Sequence, residues 1–346
     1  MGRAGQWVDK FRGLGEPNLK QKIGRPVNCH PPSDSPMLTA MRLFVWSDLH
    51  VDYPANFQLL EQLSRQDFQD GVLLVAGDLS SDPEKTLRAL TGLRERFAEV
   101  AFVPGNHDLW VTSQSRLNSL EKLHELRSLC RVAGIRVDPF SCLLDGRTVR
   151  ILPLLSWYLK PEEGPGSLFL PKPGEDPELR MWADNHRIKW PALPDDQTAA
   201  EHLLALNASP MPGDRLPVIT FSHFLPRVEL VFSDWERFQA GGGATGHDRA
   251  PEFNFTRVAG CRQLDEQLRK LGSTIHLYGH QHRNRDREID GVRYVSHCLG
   301  YPPEWREGTE LPPRRLPLEI CRSQFPQELE RSSSFDSPAA GTAAIT

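Results

Sequence analysis

Five expected strands in this chain each end in a cluster drawn from Asp, His, Asn and Gly. That repeated junction limits the available folds more than any other feature. Leu43-Phe-Val-Trp46 leads to Ser47-Asp48-Leu49-His50, Val72–Ala76 leads to Gly77-Asp78, and Val100–Val103 leads to Pro104-Gly105-Asn106-His107-Asp108. Further on, Pro217–Phe221 leads to Ser222-His223, and Thr274–Tyr278 leads to Gly279-His280-Gln281-His282. A short apolar run without alternation fits a strand buried on both faces. Between the early runs, Phe57, Leu59, Leu60 and Leu63 recur at helical spacing, as do Leu87, Leu90, Leu93 and Phe97, and then Leu117, Leu120, Leu123 and Leu126. Strands alternating with helices imply at least one parallel sheet with helices packed outside it. In open α/β sheets ligands collect beyond the carboxyl ends of the strands, so five such ends can converge on one point.

The remaining pattern predicts strands at Val149–Leu155 and Val292–Val295, and helices near Ala199–Leu206 and Arg262–Leu271. Ser81-Asp82-Pro83-Glu84 reads as a capping box with a first-turn proline. Residues 1–40 hold Gly and Pro, no sustained period, and six Lys/Arg against three Asp/Glu, and read as a weakly ordered extension. Residues 41–318 form the expected domain, and 319–346 a disordered tail rich in Ser, Pro and Ala. Two long connections should shape a pocket. One is the proline-rich stretch 157–215 with Trp157, Trp182 and Trp190, expected to be a lid or cap with a short helix within Asp176–Lys189. The other is Leu225–Val258, with Gly241-Gly-Gly243.

Composition excludes several classes. A net charge of −4 supplies no global field for nucleic acid or an anionic membrane. No apolar run reaches membrane-spanning length, and Met1–Lys22 lacks a signal-type apolar stretch. The six cysteines (Cys29, Cys130, Cys142, Cys261, Cys298, Cys321) show no CxxC spacing and read as free thiols of a reducing compartment. The expected location is cytoplasmic, with organellar targeting by the extension left open. Asn207-Ala-Ser209 and Asn254-Phe-Thr256 match a glycosylation pattern by chance on this reading.

The chemistry lies in the donor types. Asp48, Asp78 and Asn106 offer oxygen, and His50, His223, His280 and His282 offer imidazole nitrogen. This hard, mixed set suits Mn, Fe, Zn or Mg. Seven ligands exceed one catalytic ion but fit two if one carboxylate bridges. In Asp48-x-His50 and His280-x-His282 a strand spacing would aim both members the same way. Gly77, Gly105 and Gly279 sit where the backbone must turn without a side chain in the way. His124, His186, His202, His247 and His276 read as core or surface histidines. Arg227, Arg249, Arg283 and Arg285 could bind phosphate, against a solvated alternative for each.

In order, Asp-x-His, Gly-Asp, Gly-Asn-His-Asp, a lone His and Gly-His-x-His resemble the calcineurin-like metallophosphoesterase superfamily over residues 41–310. The resemblance implies an α/β fold, a four-layer αββα sandwich of two mixed sheets flanked by helices. It implies one divalent ion on Asp48, His50 and His282, a second on Asn106, His223 and His280, and Asp78 bridging. Manganese leads the candidates, and the nucleophile is a metal-bound hydroxide. His107 would stand near the leaving group, oriented by Asp108. Gly300-Tyr-Pro302 also resembles many bacterial-type members, while His297 stands where those carry asparagine. Gly77-Asp78-Leu-Ser-Ser81 lacks both the Asp-Arg-Gly of Ser/Thr protein phosphatases and the tyrosine of purple acid phosphatases. The implied activity is hydrolysis of a small-molecule phosphate ester. The alternatives are a phosphodiesterase on a cyclic nucleotide or nucleotide pyrophosphate, and a non-catalytic metal-bound interaction module.

Overall fold

A computed structural model describes residues 41–320, except 145, 208, 210–215, 242–249 and 306–315. In chain order the strands are β1 (Arg42–Trp46), β2 (Gly71–Ala76), β3 (Glu99–Val103), β4 (Phe140–Leu144), β5 (Arg147–Pro153), β6 (Val218–Phe221), β7 (Ser273–Tyr278), β8 (Arg285–Ile289), β9 (Val292–Ser296) and β10 (Leu318–Ile320). The helices are α1 (Pro54–Gln62), α2 (Pro83–Arg94), α3 (Ser119–Val132), α4 (Asp184–Arg187), α5 (Ala199–Ala205), α6 (Trp235–Gln239) and α7 (Arg262–Lys270). One sheet has the order β10-β1-β2-β3, the other β4-β5-β6-β7-β9-β8. Both are mixed: β1, β2 and β3 run parallel with β10 antiparallel, and β5, β6, β7 and β9 run parallel with β4 and β8 antiparallel at the edges.

Alternation of side chains explains why β1, β2 and β3 are apolar along most of their length. Leu43, Val45, Leu74 and Val103 point between the sheets, where they meet Ile151, Phe221, Ile275 and Val295. Their neighbours Phe44, Trp46, Leu73, Val75 and Phe102 point out against Leu60, Leu90, Leu93 and Leu126 of α1, α2 and α3. Behind the second sheet, Leu203, Leu264 and Leu268 of α5 and α7 close a third cluster with Tyr278 and Tyr294. The result is the four-layer αββα sandwich. Each large apolar side chain removed from water contributes about 1.5–3 kcal/mol, so both faces of the inner strands are committed to packing.

Local expectations needed two corrections. The cap of α2 is Asp82, not Ser81: its side chain accepts from Glu84 N, with Pro83 in the first turn. The fold also continues past 318, because β10 pairs antiparallel with β1 and buries Ile320, so Glu319 and Ile320 belong to the sheet. The extension 1–40 and residues 321–346 lie outside the described residues. The described cysteines Cys130, Cys142, Cys261 and Cys298 are free thiols. Asn207 and Asn254 are occupied by internal hydrogen bonds, Asn207 to Leu155 and Asn254 to Leu170. No helix among the described residues is long and apolar enough to cross a membrane.

Candidate metal centre

The loops that leave β1, β2, β3, β6 and β7 meet at one place. Donor atoms of Asp48, His50 and His282 lie within 4.8 Å of one another, and so do those of Asp78, His223 and His280. His50, Asp78 and His107 form a third such group that joins the two. Asn106 Oδ1 lies 3.1 Å from His223 Nε2. All seven residues expected as ligands are therefore brought together, and all seven are buried.

The backbone reaches this arrangement differently from the strand spacing expected of Asp48-x-His50 and His280-x-His282. Asp48, His50, Asp78, His280 and His282 all have φ between 40° and 74°, the left-handed region. Such conformations cost roughly 1–3 kcal/mol each and persist where the surroundings over-determine them. Here Asp48 N, His50 N and Val51 N donate to the carbonyls of Gly77, Asp78 and Leu79, and His280 N donates to the Asp48 carboxylate. Turns beyond the strand ends, not the pleat, aim each pair inward. Gly77, at φ 83°, makes the same turn without a side chain. Gly279 has no room for one, since a Cβ would lie 2.7 Å from the Ala76 carbonyl oxygen.

Hydrogen bonds fix which ring nitrogen faces the centre. His223 Nδ1 meets the Ala76 carbonyl at 2.9 Å, and His280 Nε2 meets the Val258 carbonyl at 2.9 Å. A carbonyl can only accept, so each of those nitrogens carries a proton, and in the neutral ring the other nitrogen presents a lone pair. Those lone-pair nitrogens, His223 Nε2 and His280 Nδ1, lie 3.2 Å apart. Asn106 spends Nδ2 on Asp184, so its Oδ1 is a third acceptor aimed at the same point. On the other side His282 Nδ1 is held by Glu304 at 2.8 Å, and its Nε2 faces His50 Nε2 at 2.9 Å. Converging acceptors repel unless a cation lies among them, and this donor set fits divalent ions. Burial opposes charge on His223, but Asp78, with Asp48 and the Ala76 carbonyl, lifts it to about 9, so a metal ion at Nε2 takes the place of a proton there. Burial pushes Asp78 up, yet His223 and His107 hold it well below the ordinary carboxylate range.

His107 is half-buried above Asp78, its Nε2 3.9 Å from Asp78 Oδ2. Asp108 does not orient it. Its carboxylate instead accepts four backbone amides, from Asp78 and Gly105 through Oδ2 and from Leu79 and Ser80 through Oδ1. Asp108 thus clamps the two loops together from below. His107 is held by the Trp110 indole, with ring centroids 3.6 Å apart, and by the Tyr301 hydroxyl, 3.4 Å from Nε2. Burial lowers His107 to about 4, so its ring is neutral near neutral pH.

Of the four arginines considered for phosphate, Arg227 is tied to Glu229, Asp265 and Asp290. Arg283 and Arg285 donate to the carbonyls of His282 and Asn284. Arg249 lies outside the described residues, as do His247, Gly242 and Gly243. His276 is a fully buried core histidine. Three residues outside the motifs also join the site, Trp110 against His107, Asp184 on Asn106 and Glu304 on His282. Trp110 follows the Gly-Asn-His-Asp motif closely and Glu304 follows Gly300-Tyr-Pro302, whereas Asp184 carries no local signal. The two long connections do reach the site: Trp182 stacks on Phe253 at 5.5 Å, and Phe255 lies 5.2 Å from His280.

The model of the calcineurin-like phosphoesterase family matches residues 41–284. A curated relative, [acyl-carrier-protein] phosphodiesterase PptH of Mycobacterium tuberculosis, is 27% identical over 304 residues, covering 82% of this chain and 83% of that protein. The crystal structure of phosphopantetheinyl hydrolase (PptH) from the same organism superposes with a TM-score of 0.61 at 23% identity, covering 83% of this chain and 98% of that one. With its family model, its fold and its converging donors in agreement, the chain belongs to the calcineurin-like phosphoesterases, metal-dependent hydrolases of phosphate esters.

Proposed function

We propose that the chain is a two-metal phosphodiesterase that cleaves the phosphodiester joining a phosphopantetheinyl arm to a carrier protein. The inward ring nitrogens of His223 and His280 and the Oδ1 of Asn106, aimed at one point, carry the metal part of this reading. One cation takes Asp48, His50 and His282, the other takes Asn106, His223 and His280, and Asp78 joins them. Manganese is the first candidate, with Fe, Zn or Mg as the others. Two such ions, when bound, supply a water of lowered pKa and neutralise charge on the phosphoryl oxygens. His107, a neutral ring pinned by Trp110 and Tyr301, donates an N–H hydrogen bond to a phosphoryl or leaving oxygen. Its low proton affinity favours this over service as a charged acid. The exposed ring of Tyr53, 5.4 Å from Tyr301, offers a flat surface at the mouth of the site.

The protein-borne substrate rests on the relationship to PptH across four-fifths of both chains. Metal-stripped protein reloaded with Mn²⁺ should convert a holo acyl carrier protein to its apo form, read by intact mass. It should also cleave an aryl phosphodiester faster than the matching monoester. A monoester preference together with an untouched carrier protein would overturn the proposal. Cleavage of small diesters alone would return the substrate to the small molecule expected from the sequence.

A further inference from the structure

The long connection between β5 and β6 touches the ligand shell through one carboxylate. Asp184 opens α4 and is 2% exposed. Its Oδ1 accepts two hydrogen bonds, from Asn106 Nδ2 at 3.0 Å and from the Trp110 indole at 2.6 Å. The consequence follows from the symmetry of an amide. Oxygen and NH₂ are nearly the same size, so packing alone does not choose which one faces inward. Turned over, Asn106 would aim two N–H donors at the cation and remove a ligand. Only an acceptor on the outer side prevents this, and a carboxylate can do nothing but accept.

We propose that Asp184 is a positioning residue that locks the Asn106 amide with Oδ1 inward and so completes the second cation's ligand set. It rests on the two-metal reading above. The histidine ligands of that ion are held by main-chain carbonyls, His223 by Ala76 and His280 by Val258. Asn106 is held by a side chain from a segment that contributes no ligand of its own. The same oxygen holds Trp110, against which His107 lies, so one group sets both a ligand and the ring beside the reacting phosphate. The 157–215 connection therefore takes part in building the metal centre as well as covering it.

The test is Mn²⁺ titration by calorimetry on the metal-stripped full chain, with a thermal melt to verify folding. Wild type should take two ions. Asp184→Leu should keep one at wild-type affinity and bind the other about 10–100-fold more weakly, the usual effect of losing a ligand's outer partner. Asp184→Asn, whose side-chain oxygen still accepts from Asn106, should restore the second ion to within a few-fold of wild type. A general packing defect would not discriminate between the ions. Should Asp184→Leu fail to fold, Asp184→Ala makes the same comparison by only removing atoms. Two ions bound with unchanged affinity in Asp184→Leu, or an Asp184→Asn protein as weak as Asp184→Leu, would overturn the proposal. A wild-type chain that never takes a second ion would instead overturn the two-metal reading beneath it.

Discussion

Adding one methyl group at Gly105 tests the centre most directly, because the change leaves every donor in place. Gly105 is not among the positive-φ residues, so alanine suits its backbone and the effect is steric. A Cβ there would lie 2.2 Å from Asp78 Oδ1 and 2.7 Å from both Cε1 and Nε2 of His223. Cβ atoms essentially never come closer than 3.0 Å to another heavy atom, so Asp78 and Gly105 must separate by about 0.8 Å. Neither neighbour yields easily. Asp78 Oδ1 accepts from His107 N at 2.9 Å, and His223 is fully buried with Nδ1 tied to the Ala76 carbonyl. Metal–ligand distances tolerate only about ±0.2 Å, so the bridging geometry is lost. A misplacement near 1 Å costs on the order of 10²-fold in rate, equivalent to about 2.7 kcal/mol of transition-state stabilisation. The assay is kcat/KM on an aryl phosphodiester after Mn²⁺ loading, with a melt in parallel and Gly92→Ala as control. A Cβ at Gly92 meets nothing within 4 Å, so that variant should keep full activity. A Gly105→Ala enzyme within about threefold of wild type, holding two ions, would refute the placement of Asp78 and His223 as ligands.

Three further outcomes follow from the same geometry. His107→Ala should lower kcat by about 10²-fold or more while metal content measured by mass spectrometry stays at the wild-type value; loss of an ion would make His107 a ligand. Asp78→Asn should weaken both ions together in a titration, since its carboxylate joins the two groups, and two tightly bound equivalents would contradict the bridge. His276, hydrogen-bonded to Thr220 and Ser222 and fully buried, is lowered by burial from 6.5 to about 3. The unfolded chain therefore takes up this proton first, so folded-state stability is present above pH 6.5 and falls as pH drops from there toward 3. Between pH 7 and pH 5 the loss is about 2 kcal/mol, and His276→Gln should remove that share of the pH dependence of unfolding; an unchanged slope would contradict it.

The inner strands β1, β2 and β3 were legible because burial on both faces leaves little place for polar residues, whereas β6 and β7 carry Thr220 and His276, which bond to each other. The edge strands were not. β8 is Arg285-Asp-Arg-Glu-Ile289, nearly all charge, as suits an edge that must not pair with another chain. β4 is only half-buried, and β10 is three residues long and recognisable only through its pairing with β1. The same division holds in the site. The seven donors sit in motifs that can be read locally, whereas Asp184 meets Asn106 across 78 residues and Trp110 across 74, a contact set by how the long connection folds back.

The Asp108 carboxylate explains why the donors can sit where they do. A carboxylate beside a catalytic histidine suggests a partner for the ring, yet this one satisfies four amides of the β2 and β3 loops. Five of the seven donors occupy left-handed backbone that their residue types do not prefer, a combined cost on the order of 5–15 kcal/mol if each were unsupported. Such a cost stands where the surroundings over-determine the main chain. The Asp108 clamp, together with the bonds from Asp48, His50 and Val51 to the neighbouring loop, supplies that constraint through protein groups alone. Lone pairs already aimed at one point lose little conformational freedom when an ion arrives. The strain accepted in the turns is thus the structural counterpart of a preorganised centre.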